Sequence, residues 1–242
     1  MKEPRMRYGG NPADREMRET LLVWEYFGFA TDGVFVEVGA NDPKHLSQTW
    51  LLEKVGWTGV LVEPLPDKCE SLRKDRSRSR VFEVAVSSPD RVGEADFHVY
   101  GTFSSLEKNA VDNQIPFSSS IRVRVVTLDA VLREAGVGRV DFLSIDTEGT
   151  ELDVLAGLDL DSVQAALILV EDHVYSLRIH RHMKGKGYRL IRRTGYNNWY
   201  VPGSSRHETP LLERLKLFRK IHLGTPLRAF KFEREKRKKQ TG

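Results

Sequence analysis

The sequence predicts an α/β fold: a parallel sheet with helices on both faces. Two observations predict it. Short apolar runs alternate with helix-patterned segments from residue 33 to residue 173, the pattern of βαβ units. Four of those runs end in acids: Glu37, Glu63, Asp146, and Glu171 followed by Asp172 and His173. Open parallel sheets bind ligands beyond the carboxyl ends of their strands. Acid-tipped strands therefore point to a single polar crevice at one sheet edge.

The elements follow in order. "NPADREMRETLLVWEYFGF" reads as a helix with Leu21, Leu22, Trp24 and Phe27 on its apolar face. "GVFVEVGAND" is a buried strand ending in a glycine turn. "SQTWLLEKVG" is helical, "TGVLVEPLP" a second strand, "DKCESLRKD" a helix and "SRVFEVAVSS" a third strand. "GEADFHVY" and "IRVRVVTL" alternate as half-exposed strands around a polar loop, residues 101–120. "TLDAVLREAG" is a helix capped by Thr127 or Asp129, "VDFLSID" a strand, "ELDVLAGL" a short helix and "AALILVEDH" the most apolar strand. "GYRLIRRTGYNNWYVP" reads as a hairpin turning near Gly195-Tyr196.

The chain of 242 residues has room for one large domain with extensions. The division expected is a helical extension over 1–30, a catalytic domain over 31–202 and a tail over 203–242. A composition of 40% hydrophobic and 30% charged residues is that of an ordinary soluble protein. The one cysteine, Cys69, cannot form an internal disulfide, which favours a reducing compartment. "MKEPRMRYGGNPADRE" has no apolar core of the kind a secretory leader carries, so none is expected, and no run is long enough to span a bilayer. The expected location is cytoplasmic, with peripheral contact at the inner membrane face. Charge is uneven: residues 203–242 carry +8 and the remainder −4. A basic tail on an acidic body favours anionic partners.

In "VFVEVGAND", Gly39 permits a tight turn and close approach to a ligand. Glu63 ends the next strand 24 residues later, a spacing that suits a carboxylate receiving a ribose diol. Positions 39–44 read Gly-Ala-Asn-Asp-Pro-Lys, not the glycine-rich dinucleotide loop. An acid at 37 would repel phosphate and attract a cation. S-adenosylmethionine, with a sulfonium and no phosphate, fits better than a dinucleotide.

"VFVEVGAND", "GVLVEPLP", "VFEVAVSS" and above all "VDFLSIDTEGTELDVLAGL" resemble the FkbM-type S-adenosylmethionine-dependent methyltransferases, over about Thr31 to Pro202. The resemblance implies a Rossmann-like, seven-stranded class I methyltransferase sheet and methyl transfer, usually to a hydroxyl oxygen. It implies that Glu37, Gly39, Ala40 and Asn41 form the first cofactor loop. Glu63 matches the ribose-binding acid, and Ala85 sits near adenine at the third strand end. Asp146 matches the fourth strand-end acid, and Ser47 and Thr49 lie near the cofactor's amino-acid end.

Methyl transfer is an in-line displacement that needs alignment and, for an alcohol, removal of a proton. His173 is the leading base by its near-neutral pKa. Asp146, Glu171 and His173 form an alternative site for a divalent metal, Mg or Mn. Asp146 and Glu148 complete the candidate catalytic group, with Glu151 facing the acceptor or favouring its helix N-terminus. Phe103, Ser104 and Ser105 form a candidate acceptor loop. Asn198, Trp199 and Tyr200 form a second, unless they pack within the strand.

The tail places Leu211, Leu215, Phe218 and Leu223 at near-helical spacing among Lys and Arg, with a break expected at Gly224-Thr225-Pro226. Such a helix lies in an anionic membrane interface or packs on its own domain or a partner. No nucleic-acid partner is expected, and the oligomeric state is not legible. The reading is an O-methyltransferase acting on a saccharide or glycolipid hydroxyl. Its alternatives are a nicotinamide-dependent oxidoreductase and a non-catalytic nucleoside-binding module docked by its tail.

Overall fold

The computed structural model describes residues 12–100, 104–107, 118–230 and 234, with side-chain surroundings from residue 19 onward. Seven strands form the main sheet. They are β1 (Val34–Val38), β2 (Thr58–Val62), β3 (Ser79–Phe82), β7 (Phe142–Ile145), β8 (Leu167–Glu171), β9 (Tyr188–Thr194) and β10 (Asn197–Pro202), in the order β3-β2-β1-β7-β8-β10-β9. The first five in that order are parallel. β10 pairs antiparallel with β8 and β9, through the expected turn at Gly195-Tyr196. The sheet is therefore mixed, and its order reverses direction at β1 and β7, where a ligand crevice opens beyond the strand ends.

Residues 79–88 do not make one strand. β3 stops at Phe82, and β4 (Ala85–Val86) joins a second sheet with β5 (Gly93–Val99) and β6 (Ser119–Val126), in the order β4-β6-β5. Ala85 thus lies three residues beyond the third strand, paired with Val125.

Period-two alternation divides the core between the faces of the main sheet. Val36, Val38, Leu143, Ile145, Ile168 and Val170 face one cluster. Phe35, Phe142, Leu167 and Leu169 face the other. The first cluster is covered by α4 (Leu128–Ala135) and α5 (Glu151–Ala156), through Leu128, Val131, Leu132, Val154 and Leu155. Thr127, not Asp129, caps α4: its Oγ1 accepts from the Ala130 amide at 3.2 Å, and Gly136 ends the helix in the left-handed region.

The second cluster is covered by α1 (Pro12–Tyr26), α2 (Trp50–Lys54) and α3 (Pro66–Asp75), through Val23, Leu52 and Leu72. Of the apolar positions expected on α1, Leu21 is exposed, and Val23 is the residue fully buried. α1 is thus part of the core, beyond its description as an extension. Two short helices were not anticipated, α6 (Leu160–Val163) and α7 (Arg178–Gly185). α7 buries only Met183.

The tail holds α8 (Leu211–Phe218), a π-helical turn at Arg219–Leu223 and further α-helical turns through residue 230. The expected break at 224–226 is absent. Proline lacks an amide hydrogen and crowds the carbonyl four residues earlier; the wide turn before Pro226 absorbs both effects. Thr225 Oγ1 donates to the Ile221 carbonyl and Arg228 Nη2 to the Lys220 carbonyl, so the loosened ladder keeps its partners. No helix among the described residues is long and apolar enough to cross a membrane.

Candidate active site

The site assembles where β1, β2, β7 and β8 end. Gly39 follows β1 with φ +83°, and its amide and that of Ala40 both donate to the Val62 carbonyl, at 3.0 and 3.1 Å. The Asp146 amide donates to Val38 at 3.0 Å. The glycine loop is thereby stitched between its two neighbouring strands. Asn41, also at positive φ, donates its amide to Glu63 Oε2 at 2.9 Å, and Leu65 donates to Glu63 Oε1 at 3.0 Å. Glu63 is buried at the tip of β2, and that burial raises its pKa while the two amides oppose the shift. Each oxygen uses one acceptor site on the backbone and retains capacity for a diol.

Glu37, Ser47 and Thr49 play a different part from the one expected. Glu37 Oε2 accepts from Ser47 Oγ at 2.9 Å and Thr49 Oγ1 at 2.5 Å; Oε1 accepts from the Gln48 amide at 2.6 Å. Arg76, itself fully buried, donates to Ser47 Oγ at 3.1 Å, Thr49 Oγ1 at 2.7 Å and Glu53 Oε2 at 2.7 Å, and lies 3.8 Å from Glu37. Both hydroxyls are therefore turned inward, and Glu37 anchors the loop over 47–49 instead of presenting a free carboxylate. The physical reason is register: Glu37 shares the sheet face of Phe35 and points under α2 and α3. Burial raises its pKa, opposed chiefly by Arg76.

Glu19 of α1 is a second buried anchor that the sequence did not single out. It accepts from Gln48 Nε2 at 3.1 Å and Asn197 Nδ2 at 2.8 Å, and from Thr194. It joins α1 to the loop over 47–49 and to the β9–β10 hairpin. Its only sequence signal was an acid within the apolar half of a helix.

Across the crevice, Asp146, Glu148 and Glu171 converge: one ligand oxygen from each lies within 4.8 Å of the others. Asp146 Oδ1 is fully enclosed and has no hydrogen-bond partner among the described residues. Burial, then the charges of Glu171 and Glu151, push the Asp146 carboxyl far above its usual range. Burial and neighbouring carboxylates push Glu148 and Glu171 up to about 8. Glu148 reaches the cluster through a left-handed backbone, φ +54°, followed by Gly149 at +106°. Glu151 turns back on its own helix start, accepting from the amides of Thr147 and Gly149 at 3.0 and 2.9 Å.

Of the expected metal set of Asp146, Glu171 and His173, the first two come together, and the third carboxyl beside them is Glu148. His173 stands outside, its side chain 41% exposed, with Nε2 3.6 Å from Glu171 Oε1. Its ring lies between Tyr175, stacked at 5.7 Å, and Tyr196, tilted at 4.6 Å. Burial of the ring, then Arg193, lowers its pKa.

The second expected acceptor loop is not one. Asn198, Trp199 and Tyr200 are all fully buried. β10 is paired on both edges, and its side chains enter the core on both faces, Tyr200 on one and Trp199 and Val201 on the other. Asn198 bridges Asp172 and Arg193, at 2.9 and 2.6 Å, and Trp199 Nε1 donates to Thr194 at 2.6 Å. The neighbouring Tyr196, at the hairpin tip, is exposed instead. Phe103 lies outside the described residues. Ser104 accepts from the Tyr100 amide at 3.0 Å; Ser105 is buried and reaches toward the Thr147 carbonyl at 3.4 Å, beside the acid cluster.

A glycine loop, a buried strand-end acid and a cluster of three carboxyls now stand at one sheet edge. A model of the family described as "Methyltransferase FkbM domain" matches residues 37–190. The chain belongs to the FkbM methyltransferase family. The domain is that of an S-adenosylmethionine-dependent methyltransferase, and the oxidoreductase alternative is set aside. The match opens at Glu37, so α1 and the tail of this FkbM chain lie outside it. The curated relative 2-O-methyltransferase NoeI of Sinorhizobium fredii (strain NBRC 101917 / NGR234) is 29% identical over 142 residues, covering 52% of this chain and 57% of that protein. The alignment thus spans little more than half the relative's length.

Solved structures with a similar fold include the METTL16 MTase domain, with a TM-score of 0.45 and 12% identity over 83% of this chain and 71% of that one. A SAM dependent methyltransferase from Aquifex aeolicus gives 0.41 and 10%, covering 79% and 97%. The Burkholderia thailandensis 1,6-didemethyltoxoflavin-N1-methyltransferase, solved with S-adenosylhomocysteine, gives 0.40 and 10%, covering 78% and 77%.

The residues present fit the cofactor. The enclosed, unpartnered Asp146 oxygen suits a cation, and the oxygen-only cluster disfavours a phosphate.

Proposed function

We propose that this FkbM chain methylates a hydroxyl oxygen of a saccharide or glycolipid, with S-adenosylmethionine as donor. The observation that carries the reading is the convergence of Asp146, Glu148 and Glu171 beside the Gly39 loop, next to an exposed histidine between two tyrosines. The 2-O-methyltransferase name of the curated relative supports oxygen as the acceptor atom. The rings of Tyr175 and Tyr196 offer flat faces of the kind on which sugars stack.

S-adenosylmethionine, when bound, supplies a methyl group on a sulfonium that leaves as a neutral thioether. Glu63 would receive the ribose hydroxyls, and Gly39, Ala40, Asn41 and Ala85 would help to hold the rest of the nucleoside. Asp146 and Glu148 would face the cofactor's positive charge, which in turn would favour their ionised forms. His173, its pKa lowered by burial and by Arg193, would accept the proton of the acceptor hydroxyl. Glu171, 3.6 Å from the ring, would orient it.

The same three carboxylates favour a second reading. They form a hard oxygen set for Mg or Mn, which would acidify the acceptor hydroxyl. Transfer of labelled methyl to a saccharide panel tests both, with and without chelator. His173→Ala should cut turnover by about 10²-fold or more while S-adenosylhomocysteine affinity holds. Unchanged turnover removes His173 as base; full activity in chelator removes the metal.

A further inference from the structure

The tail helix has two faces of opposite character. Ile221 and Thr225 are buried against the domain. The rings of His222 and His180 are 5.4 Å apart, and Arg228 Nε donates to the Val174 carbonyl at 3.2 Å. These residues follow helical spacing, so packing on the chain's own domain accounts for one face only. On the other side, Leu211, Leu215, Phe218, Leu223, Leu227 and Phe230 are each 55–69% exposed. They repeat at four and then three residues in each half of the helix, a continuous stripe. An apolar stripe of this extent is unusual on a free surface and marks an interaction site.

We propose that this face docks the protein on an anionic lipid surface. Charge selects the partner. Arg214, Lys216 and Arg219 flank the stripe and are exposed. Six further Lys and Arg follow within residues 231–242, and the whole tail carries +8 against −4 for the rest of the chain. An anionic surface attracts the tail and repels the body, so the helix is the side presented. A second copy of the chain would instead bring two +8 tails together. Docking also has a consequence for the site. Arg228 holds Val174, three residues beyond Glu171, so the loop bearing His173 and Tyr175 rests directly on the docked helix.

Co-sedimentation of the full chain with vesicles tests this. Binding to phosphatidylglycerol–phosphatidylcholine vesicles should exceed binding to phosphatidylcholine alone by roughly tenfold and weaken with added salt. The double variant Leu215→Asp/Phe218→Asp and, separately, Arg214→Glu/Arg219→Glu should each lose most of that binding, with Tm and S-adenosylhomocysteine affinity unchanged. Failure of the parent protein to bind, or equal binding by either variant, overturns the proposal. So does a dimer in light scattering that dissociates on Leu215→Asp/Phe218→Asp and never binds lipid.

Discussion

The backbone of Gly39 runs so close to Asp146 that a Cβ built on the glycine would lie 1.8 Å from the Asp146 carbonyl oxygen. The obstacle is backbone, not a side chain that can rotate away. It brings the glycine loop after β1 against the strand-end acid of β7, and it explains why a glycine is needed here without any appeal to a ligand.

Gly39→Ala should therefore cost more than the roughly 1 kcal/mol expected for a left-handed non-glycine residue alone, because the loop must also move off β7. Thermal denaturation should show a lower Tm, and S-adenosylhomocysteine affinity should fall with it. A variant with parental Tm and affinity would show that the two loops are not pressed together.

Arg76 is the single cation serving Glu37 and Glu53 among the described ion pairs. Removing one partner of a buried pair leaves uncompensated charge, typically at about 3–5 kcal/mol. Arg76→Met should destabilise by that order in urea unfolding. A loss under about 1 kcal/mol would mean that the hydroxyls of Ser47 and Thr49 suffice to hold Glu37.

Glu148 and Glu171 are raised from an ordinary 4.5 to about 8, first by burial and then by carboxylates: Asp146 and Glu151 beside Glu148, and Glu148 and Glu151 beside Glu171. Between those values the folded protein binds more protons than the unfolded chain, so stability falls as pH rises. The Tm of protein free of cofactor should drop from pH 5 to pH 8, and Glu148→Gln should flatten the slope. A Tm that climbs over that range would contradict the cluster's geometry.

The strands were legible because their interiors are apolar on both faces, as in "VFVEV" and "LILVE". Acid tips then revealed the crevice edge. The placement of "NNWYVP" was not legible. Its polar start and aromatic centre fit a binding loop equally well, and only the long-range antiparallel pairing of β10 with β8 buries Trp199 and Tyr200. Arg76 was hidden in "RKDRSRSR", where nothing local separates the one buried guanidinium from its solvated neighbours. Glu148 was named for catalysis, yet its place beside Asp146 and Glu171 depends on a left-handed backbone that no periodicity announces. α7 went unseen because Met183 is its one buried side chain.

The central claim is that the edge where β1, β2, β7 and β8 end holds S-adenosylmethionine. Isothermal titration with S-adenosylhomocysteine tests it most directly. The account predicts one site per chain, weakened at least tenfold by Glu63→Ala, about the value of one charge-assisted hydrogen bond, and little changed by His173→Ala. No binding by the parent protein, or binding indifferent to Glu63→Ala, would contradict it.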